Sequence, residues 1–200
     1  TIDSVNRSIG LFGGSFNPIH CGHIALARHL LQAAGLDEVW FVVSPMNPFK
    51  TQATDLLADD LRLHMVRMAL ADQPQMQACD VEFHLPRPSY MWNTLQHLVR
   101  QYPDSRFTLL IGADNWLSFE RWAHWQEIMA HHAIVVYPRE GCPVSQRSLP
   151  TGVTLVPAPL FPVSSTMIRQ RVAAGLPVTG MVPPAIESAV LRYYGAEAAE

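Results

Sequence analysis

Apolar residues along this chain fall into two alternating patterns. Short continuous runs bounded by glycine or proline alternate with stretches whose apolar positions recur every three or four residues. Ser8–Gly13 is a run of the first kind and predicts a strand. From Gly22 to Ala34, Ile24, Ala27, Leu30 and Leu31 fall at helical spacing, and Gly35 is placed to stop that helix. Val39–Val43 is β-branched and aromatic throughout, which suits a strand buried on both faces. After a proline-containing loop, Pro45–Lys50, a helix is expected over Leu57–Leu70, with Leu61, Met65, Met68 and Ala69 on one side. A strand is expected over Met76–Phe83, a loop at Pro86 and Pro88, and a helix over Tyr90–Tyr102. Then follow a strand Phe107–Ile111 ending at Gly112, one or two short helices within Trp116–Met129, and strands Ala133–Tyr137 and Val153–Val156. A short helix Ser165–Ala174 is stopped by Gly175 and Pro177, and Pro184–Tyr194 forms the last helix.

Strands alternating with helices predict an α/β fold: a Rossmann-like, open, mostly parallel sheet with helices on both faces and a small helical C-terminal part. The chain reads as one domain over 1–200, with a core at 7–157 and a C-terminal part at 158–200. In such sheets ligands bind beyond the C-terminal ends of the strands. Each segment with distinctive chemistry in this chain follows a predicted strand or opens a predicted helix.

Composition narrows the classes. Of 200 residues 48% are hydrophobic and 16% charged, which suits a packed core rather than disorder. The net charge of −3 carries no basic excess for nucleic acid, so any phosphate must be held by a few placed groups. Lys50 is the single lysine beside thirteen arginines. Cys21, Cys79 and Cys142 lie far apart without a C-x-x-C pair, as expected of free thiols in a reducing compartment. No charged segment leads into an apolar run at the start, and no stretch approaches the ~18 apolar residues of a membrane helix. The expectation is a cytoplasmic protein without a membrane or nucleic-acid partner; the sequence does not reveal its oligomeric state.

Gly13-Gly14-Ser15-Phe16-Asn17-Pro18-Ile19-His20-Cys21-Gly22-His23 leads from the first strand into the first helix. Glycines permit a tight turn and close backbone approach to a ligand. A helix start, with free N–H groups and the positive end of its dipole, favours an anion. His20 and His23, three apart, can aim imidazole donors at that anion. A structural role is the alternative, as is a metal site, although no third ligand is evident. The segment matches neither the P-loop nor the G-x-G-x-x-G dinucleotide fingerprint.

A second helix start carries Val163-Ser164-Ser165-Thr166-Met167-Ile168-Arg169. Ser164 or Ser165 suits an N-cap, and Arg169 follows one turn later with bidentate geometry for phosphate. Capping alone accounts for the hydroxyls but not for the arginine. Asp114, after the strand ending at Gly112, can accept ribose hydroxyls or cap a helix. Trp116, Trp122 and Trp125 suit core packing, or stacking of one exposed indole on a flat heteroaromatic ring.

The segment Gly14–His23 resembles the G-x-F-x-P-x-H-x-G-H motif of the HxGH nucleotidyltransferase superfamily. Val163–Arg169 resembles that superfamily's I-S-S-T-x-I-R motif, with valine for isoleucine. The set Gly112-Ala113-Asp114, Trp122, Arg87-Pro88-Ser89-Tyr90 and Thr94-Leu95 is similar to the bacterial nicotinate-nucleotide adenylyltransferases. The resemblance runs from Gly10 to about Arg171. It departs from the family pattern at Met91, where threonine is usual, at Asn93, where aspartate is usual, and in Asn47-Pro48-Phe49-Lys50, where the family has P-P-H-K.

The resemblance implies transfer of an adenylyl group from ATP to nicotinate mononucleotide, giving deamido-NAD and pyrophosphate, with Mg²⁺ carried on ATP and no metal held by the protein alone. It implies His20, His23 and Arg169 as catalytic groups. It further implies an ATP site of Gly13, Gly14, Ser15, Phe16, His20, His23, Gly112, Asp114, Ser164, Ser165, Thr166 and Arg169. The mononucleotide would meet Ser15, Lys50, Tyr90, Thr94, Trp122 and Ala123, with Trp122 stacked on the pyridine ring and backbone N–H groups near Ala123 and Tyr90 receiving the carboxylate. Nicotinamide mononucleotide and phosphopantetheine are the alternative acceptors. A nucleotide-binding regulator or an oxidoreductase is the alternative of another class, and it leaves His20, His23 and Arg169 without a role.

Overall fold

The computed structural model describes residues 6–46 and 55–195; Lys50 lies outside the described residues. Six strands form one sheet: β1 (Arg7–Gly14), β2 (Glu38–Val43), β3 (Met76–Cys79), β4 (Ser105–Gly112), β5 (Ile134–Tyr137) and β6 (Val153–Leu155). Their order is β3-β2-β1-β4-β5-β6, and every neighbouring pair is parallel. All six residues of β2 are buried, as its unbroken apolar run requires for a strand covered on both sides.

The covering helices are α1 (Cys21–Ala33), α2 (Asp59–Leu70), α3 (Met91–Gln101), α4 (Ala113–Leu117), α5 (Trp125–His131), α6 (Ser165–Ala173) and α7 (Pro184–Tyr193). Alternation along β1 sorts its side chains between two cores. Phe12 joins the core beneath α1, α2, α6 and α7, while Ile9 and Leu11 join that beneath α3, α4 and α5. Residues Ile168, Val172, Val178, Val182, Ile186 and Val190 share the first core with Leu30 and Phe41, so the C-terminal part packs directly on the sheet layer.

Helix ends follow their local chemistry. Gly35 and Gly175 sit at φ 63° and 71° just beyond α1 and α6, where Leu36 and Leu176 donate back to the carbonyls of Leu31 and Arg171. Three boundaries differ from the pattern-based expectation. The strand expected over Met76–Phe83 ends at Cys79, where its register with β2 stops at Val42. Val81–His84 instead forms a 3-10 turn, with the Phe83 N–H donating to the Asp80 carbonyl, because an apolar run does not distinguish a strand from a buried turn. Helix α2 starts at Asp59, since Leu57 is held by Asn17 and Arg62. The Trp116–Met129 region holds only the end of α4, which already starts at Ala113, then a 3-10 turn at Phe119–Arg121, and most of α5, which runs on to His131.

Strand order reverses between β1 and β4. The first half of the sheet winds one way from β1 and the second half the other, which opens a crevice at the C-terminal ends of these two strands. Gly14 and Gly112 end those strands.

Candidate active site

A cleft of about 550 Å³ occupies this crevice. The β1–α1 segment contributes Gly13, Gly14, Ser15, Phe16, His20 and His23; the end of β4 contributes Asp114; the start of α6 contributes Ser164, Ser165 and Thr166. Two motifs about 150 residues apart in sequence thus share one wall. Ser165 Oγ donates to the Pro18 carbonyl at 2.8 Å, and Arg169 Nη1 donates to the Asn17 carbonyl at 2.7 Å.

His20 is the N-cap of α1, an unusual residue for that position. Its Nδ1 accepts the N–H groups of Gly22 (3.0 Å) and His23 (3.3 Å), while His23 Nδ1 accepts the His20 N–H at 3.1 Å. The Cys21 N–H goes to the Met181 carbonyl at 2.9 Å. The first turn of α1 therefore does not offer free N–H groups to an anion, contrary to the expectation from its position. The imidazoles take those donors instead. A neutral ring that accepts at Nδ1 carries its proton at Nε2, so each histidine keeps one N–H donor. The rings stack at 3.6 Å between centroids.

Burial, assisted by Arg139, pushes His20 down to about 4. Burial, His20 and Arg139 hold His23 well below the usual histidine range. Both rings are neutral donors at neutral pH. The same tautomer leaves no lone pair at Nε2 for a metal, which disfavours the His-x-x-His metal reading. Among the described residues no group of three or more His, Cys, Asp or Glu side chains is placed to hold a metal ion.

Glycine's role differs from that expected. Gly13 and Gly14 are extended strand residues, and the left-handed turn falls on Phe16 at φ 47°. Gly22 is the sterically demanding position: a Cβ there would lie 2.9 Å from His20 Cε1 and 3.0 Å from its Nδ1. The absent side chain lets the His20 ring fold over the helix start.

At the α6 start, Ser164 is the N-cap and its Oγ accepts from the Met167 N–H at 3.1 Å. The Arg169 guanidinium is committed to the Asn17 carbonyl and to Thr166 Oγ1 (3.3 Å) and is not part of the cleft lining. Asp114 does not cap α4, whose N-cap is Gly112; its carboxylate faces the cleft 3.6 Å from Arg139 Nε. Sequence reasoning missed Arg139. Its position two residues past the end of β5, at the same end of the sheet as the other motifs, was the available signal.

Of the residues assigned to the mononucleotide, Ser15 lines this cleft, whereas Tyr90, Thr94, Trp122 and Ala123 do not; Lys50 lies outside the described residues. Thr94 is fully buried, and its hydroxyl lies 3.0 Å from the buried Glu82 carboxylate and 3.3 Å from the Tyr90 carbonyl. Direct contact with a ligand is thereby excluded in this arrangement, and Thr94 instead secures the turn before α3. Tyr90 is exposed at the α3 N-cap, and a Cβ on Gly13 would lie 3.8 Å from the neighbouring Met91 Cε, so this helix start abuts β1 beside the cleft. Trp122 is half-buried against Phe119, 5.0 Å between ring centroids, and the adjacent Ala123 is exposed.

Residues 11–171 match the cytidylyltransferase-like family model. A protein of Bacteroides fragilis named a probable nicotinate-nucleotide adenylyltransferase is 47% identical over 183 residues, covering 92% of this chain and 90% of its own length. One of the same name from Bacteroides thetaiotaomicron is 46% identical over 191 residues, covering 96% and 94%. The chain belongs to the nicotinate-nucleotide adenylyltransferase family. As a member it is a nucleotidyltransferase. The Plasmodium falciparum nicotinic acid mononucleotide adenylyltransferase complexed with NaAD shares this fold, with a TM-score of 0.76 at 17% identity over 94% of this chain and 96% of that one. No described helix is long and apolar enough to cross a membrane.

Proposed function

We propose that this nicotinate-nucleotide adenylyltransferase joins ATP and nicotinate mononucleotide by direct in-line displacement within the cleft. A mononucleotide phosphate oxygen attacks the ATP α-phosphorus. The bond from that phosphorus to the bridging α–β oxygen breaks, and its electron pair leaves with pyrophosphate. The phosphate is already ionised, so no general base is required, and catalysis is positioning plus charge stabilisation.

The observation that carries this reading is the histidine pair with both Nδ1 atoms bonded to backbone N–H groups. It leaves two neutral Nε2–H donors beside the α6 start. In this reading they hold the attacked phosphate and its neighbours, while Ser165 and Thr166 hold the departing pyrophosphate, joined by Arg169 once its guanidinium turns from the Asn17 carbonyl. Asp114 receives the adenosine ribose, and Arg139, whose side chain is 56% exposed, turns from Asp114 to the phosphates. Gly112 leaves room for both: a Cβ there would lie 2.5 Å from Asp114 Oδ1 and 2.9 Å from Arg139 Cγ. The mononucleotide lies between the Tyr90 end of α3 and Trp122. Mg²⁺ would accompany the triphosphate, held by the nucleotide's own oxygens, and would neutralise their charge, leaving the remaining oxygens to this chain's hydroxyl and N–H donors.

Turnover of ATP stereochemically labelled at the α-phosphorus tests the direct route. One displacement gives inversion in the dinucleotide product. Retention means two displacements through an enzyme-bound adenylyl group and overturns the mechanism.

A further inference from the structure

The largest fully buried side chain in the described structure is a charged one, Arg62 on α2. Burial draws its pKa down and the Asp59 carboxylate raises it. A buried cation is tolerated only when its donors are satisfied. Arg62 Nε donates to the Leu57 carbonyl at 2.8 Å, and Nη1 to the carbonyls of Ser15 (2.7 Å) and Ser44 (2.8 Å). Nη2 pairs with Asp59 Oδ1, which also accepts the Met46 N–H at 2.9 Å. The other carboxylate oxygen, Oδ2, accepts from Arg87 Nη1 at 2.9 Å.

This network spans the rim of the site. Ser15 is in the cleft wall, Ser44 and Met46 follow β2, and Arg87 begins the loop that leads into Tyr90 and α3. Packing alone does not require an arginine there, since an apolar side chain would fill the volume without the desolvation cost. What an apolar side chain cannot do is fix three loops to one point.

We infer that Asp59 and Arg62 are a positioning pair that sets the separation of the ATP-side loop at Ser15 from the acceptor-side loop at Arg87. The inference rests on the proposed reading of which substrate each loop meets. Neither residue touches a reacting atom. Asp59 divides its two oxygens between the loops, so its geometry transmits to the acceptor phosphate's approach, and Arg87 is the arm that can be cut without emptying the core.

The test is steady-state kinetics of the full chain with ATP and nicotinate mononucleotide for Arg87→Met, Arg87→Lys, Asp59→Asn and the Asp59→Asn/Arg87→Met double variant, with melting temperatures alongside. Arg87→Met is expected to raise KM for the mononucleotide roughly tenfold while the KM for ATP stays within about twofold. Arg87→Lys, which keeps a cation near Asp59, recovers most of that loss. The double variant is no worse for the mononucleotide than Asp59→Asn alone. Arg87→Met with both KM values unchanged, or both raised equally, overturns the inference; so do additive effects in the double variant, which would put Arg87 in direct contact with substrate. If Asp59→Asn fails to fold, Arg87→Met and Arg87→Lys still decide it. Failure of the unmodified enzyme to use nicotinate mononucleotide overturns the functional reading and the inference with it, whereas unaltered kinetics in Arg87→Met overturns the inference alone.

Discussion

A histidine is a poor choice for an ordinary helix cap, and that choice connects this chain's local structure to its chemistry. His20 satisfies the N–H groups of Gly22 and His23 with one nitrogen and keeps a proton on the other. An asparagine can supply the same cap but cannot reach as far into the cleft. His20→Asn is therefore expected to fold with stability at neutral pH changed by no more than ~1 kcal/mol, while kcat falls by ~10²–10³ as one donor is lost. Near-normal kcat in that variant would remove His20 from the mechanism. The sign of the pH effect follows from the depressed pKa. Because His20 titrates at about 4 in the folded state against 6.5 when unfolded, the unfolded chain binds more protons between those values. Stability is full above pH 6.5 and falls as pH drops toward 4. Urea titrations across this window should give a shallower fall in His20→Asn than in the unmodified protein, and equal slopes would contradict the assignment.

At the scale of elements, what the sequence shows clearly is what short-range pattern encodes. The buried run of β2, the glycine stops at Gly35 and Gly175 and the Ser164 cap are each local chemistry. Long-range partners are not. Nothing local signals that Thr94 would turn inward to Glu82, that Arg62 would be buried, or that the α1 donors would be taken by the histidines themselves. Arg139 differs in that its place just beyond β5 is visible in the sequence, but its proximity to Asp114 exists only once β4 and β5 pair. Gly22 shows how an element boundary carries function. Gly22→Ala should gain helix propensity of up to ~1 kcal/mol, yet its methyl would collide with the His20 ring. The expected outcome is a thermal midpoint little changed or raised and a kcat lowered at least about tenfold. A fully active Gly22→Ala variant would show that the ring's position over the helix start is not needed.

Across the whole molecule, segments far apart in the sequence close on one site. Tyr194, at the end of α7, donates to Asn17 Oδ1 at 2.6 Å, and Arg169 donates to the Asn17 carbonyl. The C-terminal part packs on the sheet through Ile168, Val172, Ile186 and Val190, and it presents the α6 start to the crevice where the strand order reverses. A parallel sheet alone would supply the glycine-ended strands and the histidines; in the proposed mechanism the returning C-terminal part supplies the second set of phosphate donors. The proposed adenylyl transfer draws on both. In the proposed reading, acceptor identity depends on the Tyr90 and Trp122 region, where Met91 and Asn93 depart from the family pattern. The direct measurement is steady-state pyrophosphate release from ATP with nicotinate mononucleotide or nicotinamide mononucleotide as acceptor. A kcat/KM higher for the nicotinate form, with deamido-NAD as product, is the expected result; equal use of the two, or preference for the nicotinamide form, would contradict it.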